Sequence, residues 1–161
     1  MKIGVMSDTH LAHVSDELKT IVEEVFRDTD LILHAGDIVS GRVLSYLESA
    51  GVIAVCGNMD YPDVSETLPL KRTLTAGDFK IGLTHGYGSP HGLAQRLRPA
   101  FGQIDCLIFG HSHQAMNRQE GSTLYFNPGT ALGSVRGRGH SVGLLRLTDR
   151  IQGEIIELRS E

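Results

Sequence analysis

Long apolar runs are missing from this 161-residue chain, and none approaches the roughly 20 residues that a membrane-spanning helix requires. The first hydrophobic stretch, Lys2-Ile3-Gly4-Val5-Met6, is short and is broken at once by Ser7-Asp8, so no signal peptide is expected. Cysteine is scarce. Cys56 and Cys106 lie in or beside apolar stretches and form no C-x-x-C pair, so two free thiols rather than a structural zinc knot are expected. A soluble, cytoplasmic protein is the expectation. Charge runs are also absent, and the net charge of −4 argues against a nucleic-acid partner held by bulk electrostatics. There is no G-x-x-x-x-G-K-[ST] loop for a nucleotide phosphate. Around Ser112 the G-x-S-x-G elbow of a serine hydrolase fails, because Gln114 stands where the second glycine belongs.

What is present reads as one domain over residues 1–161. The hydrophobic fraction of 40% is enough to build a core, and no repeat, low-complexity tract or linker divides the chain. Ile3–Met6 reads as a buried strand. Ser15-Asp16-Glu17 reads as a helix cap, followed by an apolar stripe at Leu18, Ile21, Val22, Val25 and Phe26. Leu31–Leu33 is a second strand. Ser40 caps a second helix with Val43, Leu44 and Leu47 inward and Gly51 as its stop, and Val52–Cys56 is a third strand. This alternation predicts right-handed crossovers and a parallel sheet.

The second half changes rhythm. Arg72–Thr75 and Phe79–Thr84 predict a hairpin across Ala76-Gly77-Asp78. Ser89-Pro90 opens a predicted helix with Leu93, Leu97 and Phe101 on one side. Leu107–Phe109, Thr123–Phe126, Val142–Leu147 and Gly153–Leu158 complete a strand-rich tail. Two sheets packed face to face, with helices outside, fit this order.

Five short segments carry ligand-type side chains beside glycine, most of them where a strand ends. They are Ser7-Asp8-Thr9-His10, Gly36-Asp37, Gly57-Asn58, Thr84-His85-Gly86 and Gly110-His111-Ser112-His113. Any one of these histidines reads as an ordinary turn residue. Together, Asp8, His10, Asp37, Asn58, His85, His111 and His113 offer the oxygen and imidazole donors that two divalent cations need. Asp8, Asp37 and Asn58 all fall at the carboxyl ends of the predicted parallel strands, where ligands of such sheets gather. Asp37 is the natural bridge, because its strand lies between the other two in sequence. Manganese, iron, zinc, cobalt and nickel suit the donor set better than magnesium alone. Two cations about 3.5–4 Å apart would share an acidified water, the hydroxide nucleophile for attack at phosphorus.

The ordered set D-x-H, G-D, G-N, H, G-H-x-H resembles the calcineurin-like metallophosphoesterase superfamily, and it is most similar to the small single-domain bacterial and archaeal phosphodiesterases. Asn127-Pro128-Gly129 matches the segment after the histidine pair, so the resemblance spans nearly the whole chain. It implies an α/β fold, a four-layer α/β/β/α sandwich of two mixed sheets flanked by helices. It further implies one cation on Asp8, His10, Asp37 and His113, and another on Asp37, Asn58, His85 and His111. Many relatives carry G-N-H-[DE], whose histidine is proposed to protonate the leaving group; Met59 stands there instead. Asn58 and Asp60 remain the candidates for assisting catalysis. The departure favours substrates whose leaving group needs little help, hence phosphodiesters over monoesters.

The function expected is hydrolysis of a small phosphorylated molecule, such as a nucleotide. The rival is an idle interaction scaffold of the same fold, like the metallophosphoesterase-like subunit of the retromer coat; a full ligand set argues against it. A repair-type nuclease would need substrate-embracing domains that 161 residues do not provide. Four further features are weighed. His34 either orients Asp37 or is simply packed. His13 and His91 read as surface residues. Arg136-Gly137-Arg138-Gly139-His140 reads as a solvated loop before a phosphate clamp, and Tyr87 as a possible pocket wall.

Overall fold

The computed structural model describes residues 1–133 and 139–158. Strand β1 (Lys2–Met6) leads to α1 (Asp16–Thr20), where the Ser15 side chain accepts a hydrogen bond from the Leu18 amide. The helix runs on as a π-helical turn over Ile21–Val25, with the Phe26 amide bonded to the Ile21 carbonyl. β2 (Leu31–His34), α2 (Gly41–Ser49), β3 (Ile53–Ala54) and the short α3 (Pro62–Ser65) follow. Ser40 caps α2 through the Val43 amide, and Gly51 ends it at a φ of 77°. The second half holds β4 (Lys71–Ala76), β5 (Phe79–Thr84), α4 (Leu93–Leu97), β6 (Cys106–Ile108), β7 (Met116–Glu120), β8 (Thr123–Asn127), β9 (His140–Leu147) and β10 (Ile151–Leu158).

These strands form two mixed five-stranded sheets, ordered β10-β9-β1-β2-β3 and β4-β5-β6-β8-β7. In the first, β1, β2 and β3 are parallel and β9 and β10 antiparallel; in the second, β5, β6 and β8 are parallel. Alternation along β1 explains the layering. Ile3 and Val5 point between the sheets, where they meet Ile81, Leu83, Ile108 and Phe126, while Met6 packs outward with the helical residues Leu18, Val22 and Leu47. On the far side of the second sheet, Leu93, Leu97 and Phe101 cover Leu107 and Phe109. The result is the expected α/β sandwich. Both cysteines are buried and free. Among the described residues no helix is long and apolar enough to cross a membrane.

Three expectations need correction. The helix predicted from Ser89-Pro90 begins only at Leu93, because Gly92 takes a φ of 65° and interrupts the chain after Pro90. Phe101 lies beyond it, past a 3₁₀ turn over Arg98–Ala100, though it joins the same apolar cluster. The third strand keeps only Ile53–Ala54 of the predicted Val52–Cys56, since the Cys56 amide turns to the Pro69 carbonyl. β7 was not foreseen.

Candidate metal centre

The parallel strands of both sheets deliver their carboxyl ends to one rim. Asp8 follows β1, Asp37 follows β2, Asn58 follows β3, His85 follows β5, and His111 and His113 follow β6. All seven predicted ligand residues meet there. The Asp8 carboxylate, with the rings of His10 and His113, forms one group whose ligand atoms lie within 4.8 Å of one another, and Asp8, Asp37 and His85 form a second. Asp37 Oδ2 stands 3.6 Å from His10 Nε2 and 3.3 Å from His85 Nε2. Both carboxylates therefore sit between the two halves of the cluster.

The proton positions on the rings follow from their partners. His85 Nδ1 is 2.8 Å from the Ala35 carbonyl oxygen, which can only accept, so the proton is on Nδ1. Its Nε2 then directs a lone pair at Asn58 Oδ1, 3.0 Å away, and at Asp37 Oδ2. His111 repeats the pattern: Nε2 donates to the Gly88 carbonyl at 2.8 Å while Nδ1 faces Asn58 Oδ1 at 3.0 Å. His10 Nε2 and His113 Nε2 lie 3.2 Å apart. Asp8 Oδ1 is buried and makes no hydrogen bond, with His113, His10 and His85 Nε2 at 3.1, 3.7 and 3.9 Å. A buried carboxylate oxygen without a hydrogen bond, ringed by three imidazole nitrogens, calls for positive charge beside it, from a cation or a protonated ring.

The side chains' proton affinities respond to the same demand. Burial alone would raise the Asp8 carboxyl, but the His10, His113 and His85 imidazoles ringing it and the Ser7 hydroxyl outweigh burial and hold it below the usual carboxylate range. Asp37 is likewise lowered, burial being overcome by His85 and the Met59 amide. His10 is raised, chiefly by Asp8, and His85 is raised because Asp37 and Asp8 overcome its burial.

Backbone strain concentrates here as well. Among the described residues, six non-glycine positions have positive φ: Asp8 at 55°, His10 at 49°, Asp37 at 60°, Val39 at 90°, His111 at 67° and His113 at 54°. Five of the six are predicted ligands. Each such residue costs about 1–3 kcal/mol and persists only where its surroundings over-determine it. Several groups hold these loops. Ser7 Oγ donates to Asp8 Oδ2 at 2.5 Å, and the Thr130 hydroxyl donates to the Asp8 carbonyl at 2.9 Å. Asn127 Nδ2 donates to the Gly110 carbonyl at 2.9 Å and to Ser112 Oγ at 3.1 Å, which fixes the loop of both late histidines. The roles of Ser7 and Thr130 were not read from the sequence, although Ser7 lies in the first ligand segment and Thr130 directly follows Asn127-Pro128-Gly129.

The Asp60 carboxylate accepts hydrogen bonds from the Val39 amide at 2.6 Å and the Gly57 amide at 2.7 Å. It ties the Asp37 loop to the Asn58 loop, and burial raises its proton affinity despite those two amides. Met59 is 55% exposed. His13 and His91 are exposed, His140 Nε2 donates to the Gly133 carbonyl at 2.8 Å, and Arg136 and Arg138 lie outside the described residues.

His34 is fully buried. The Gly36 amide donates to its Nδ1 at 3.1 Å, so Nε2 carries the proton and donates to Thr9 Oγ1 at 3.1 Å. The Thr9 hydroxyl in turn reaches the Asp37 carbonyl at 3.4 Å. His34 thus links the loops of Asp8 and Asp37 as a neutral ring, its pKa pushed down by burial from 6.5 to about 3. An unfolded chain binds a proton there below pH 6.5, whereas the folded chain does not until about pH 3. Stability is therefore lost as pH falls through that window, by on the order of 1 kcal/mol per pH unit. In urea titrations with chelator, His34→Gln should show a correspondingly shallower decline between pH 6.5 and 5. Parallel declines would show that His34 titrates normally in the fold.

Residues 1–150 match the calcineurin-like phosphoesterase superfamily domain, and the chain belongs to that superfamily. It is 40% identical to a probable metallophosphoesterase of Methanothermobacter thermautotrophicus over 160 residues, 97% of this chain and 92% of that one. It is 30% identical to a phosphodiesterase of Methanocaldococcus jannaschii, covering 97% of this chain and 99% of the relative. Among solved structures, that of an archaeal phosphodiesterase superposes with a TM-score of 0.76 at 30% identity, over 98% of this chain and all of the other. Vps29 of Entamoeba histolytica, solved with zinc, shares the fold with a TM-score of 0.73 at 24% identity, over 98% and 99% of the two chains.

Proposed function

We propose that this protein is a metal-dependent phosphoesterase that favours phosphodiesters and uses two divalent cations. The observation that carries the reading is the buried, hydrogen-bond-free Asp8 Oδ1 with three imidazole nitrogens turned toward it. The donor set fits the group: Asp8, His10, Asp37 and His113 would hold one cation, and Asp37, Asn58, His85 and His111 the other. Asp37 is the shared ligand, supported by Oδ2 lying close to both His10 and His85. When bound, such a pair acidifies a water at neutral pH and polarises the phosphoryl oxygens. Manganese, nickel, iron, zinc and cobalt all suit these ligands, and a small phosphodiester, nucleotides included, suits the site.

The chain itself supplies rigidity and charge. Ala35, Gly88 and Asp60 fix the rings and loops, and two aspartates leave a pair of dications with a net positive charge toward an anionic substrate. Neither of the two residues that follow Asn58 is set to deliver a proton. Met59 has none to give, and the Asp60 carboxylate is engaged by two backbone amides. Esters with a good leaving group should therefore react best. With manganese-reconstituted protein, bis-p-nitrophenyl phosphate should be cleaved with a higher kcat/KM than p-nitrophenyl phosphate, and chelator should abolish both activities. Faster cleavage of the monoester would reject the diester preference. Turnover that survives complete metal removal would reject the reading as a whole.

A further inference from the structure

Beside the metal centre lies a cavity of about 350 Å³, within the roughly 300–1,000 Å³ of small-molecule sites. Asn58 and His85 belong to both, so a substituent on a phosphoryl group held by those residues would point into it. Its walls are Leu70, Tyr87, Leu97 and Phe101, with Lys71 at the edge, and no acidic side chain lines it. Leu70 is 76% exposed and Tyr87 63%, an unusual outlay of apolar surface beside a polar cluster. The wall bearing Tyr87 is built rather than loose. The Arg96 guanidinium donates to the carbonyls of Tyr87, Ser89 and His91 at 2.9, 2.6 and 3.0 Å and stands 5.9 Å from the Tyr87 ring centre. Opposite, Lys71 Nζ donates to the Ala100 carbonyl at 2.7 Å and lies 5.5 Å from the Phe101 ring centre, placing a positive charge at the mouth.

We infer that this cavity seats an aromatic ester substituent of the substrate, making the enzyme selective for phosphodiesters with a ring-sized apolar group on phosphorus. The inference rests on the metal-centre reading above. The four walls supply apolar contact on several sides, Tyr87 offers a ring face for stacking, and the loop is pre-ordered by Arg96, so little order is lost on binding. The Lys71 ammonium matches the negative charge of a diester, and the lack of any carboxylate removes the commonest source of repulsion.

The test uses non-hydrolysable probes, so that binding is read without turnover. In the manganese-loaded protein, inhibition constants are measured for methylphosphonate and phenylphosphonate against bis-p-nitrophenyl phosphate, and direct binding is checked by calorimetry. Phenylphosphonate should bind roughly tenfold more tightly or better, the yield of burying one ring. That ratio should collapse toward one in Tyr87→Ala and in Leu70→Ser; both positions are largely exposed, so folding is spared. Equal affinities in the wild-type protein, with methylphosphonate binding intact, would overturn the aromatic pocket and leave the metal reading standing. Failure of both phosphonates to bind would remove the metal reading and the pocket together. A sedimenting dimer that both substitutions dissociate would assign the face to a second copy of this chain and likewise overturn the proposal.

Discussion

Asp37→Asn should bind manganese at least about a hundredfold more weakly and retain no more than roughly 1% of the wild-type turnover, as expected when one partner of a buried charged cluster is removed. The argument starts from the position of the group. Asp37 Oδ2 is the oxygen that lies close to His10 and His85 at once, while Oδ1 accepts the Met59 amide at 2.8 Å. An amide keeps the shape and the short polar side chain that tolerates a φ of 60°, but loses the charge that offsets two cations. The fold should survive, because the His10 amide bonds the Asp37 backbone carbonyl at 3.0 Å and does not depend on the side chain. Asp37→Ala should lose as much activity and also some stability, about 1–2 kcal/mol, because alanine lacks the local hydrogen bonding that eases the left-handed conformation. Metal content by mass spectrometry, turnover with excess manganese, and thermal unfolding in chelator separate the two effects. A variant that loses its metal but not its turnover would reject the mechanism.

Much of this molecule is legible in its residues. Strand ends could be read because the apolar runs before Asp37, Asn58 and His111 stop at a glycine followed by a ligand-type side chain, while those before Asp8 and His85 end at a serine or threonine; parallel pairing then fixes one rim for β1, β2 and β3. Ser15 and Ser40 announced their helices, since a hydroxyl is of use only where amides lack partners. β7 stayed hidden because Met116-Asn117-Arg118-Gln119-Glu120 is an exposed edge strand with no buried face to impose alternation. The helix start after Pro90 was misplaced because proline tolerates a first turn while Gly92, two residues on, decides against one. Nor could the sequence disclose the left-handed backbone shared by Asp8, His10, Asp37, His111 and His113. Aspartate and histidine enter that region more readily than most residues, but whether they do depends on distant loops. The clamp of Asp60 on Val39 bridges 21 positions in the chain and is visible only in three dimensions.

The second large effect belongs to a residue that would touch no cation. A Cβ added at Gly57 would fall 2.2 Å from Asp37 Oδ1 and 2.4 Å from the Asp37 backbone nitrogen. A flexible side chain can move aside, but a backbone nitrogen held in a strained loop cannot. The Gly57 amide is itself fixed by Asp60 at 2.7 Å, so the two loops must separate and carry Asn58 away from Asp37. Gly57→Ala should cost about 1–3 kcal/mol of stability in chelator, as overpacking does, and weaken manganese binding by about 10–100-fold, the usual penalty for disturbing the support of a metal site. Gly102→Ala is the matched control: its Cβ would meet nothing within 4 Å, and its stability should stay within about 0.5 kcal/mol of wild type. Calorimetric titration with manganese and urea unfolding of both variants decide the matter. Were Gly57→Ala to bind manganese like the wild type, Asp37 and Asn58 could not be ligands in the positions they occupy here, because that methyl group and the Asp37 loop cannot share the same space.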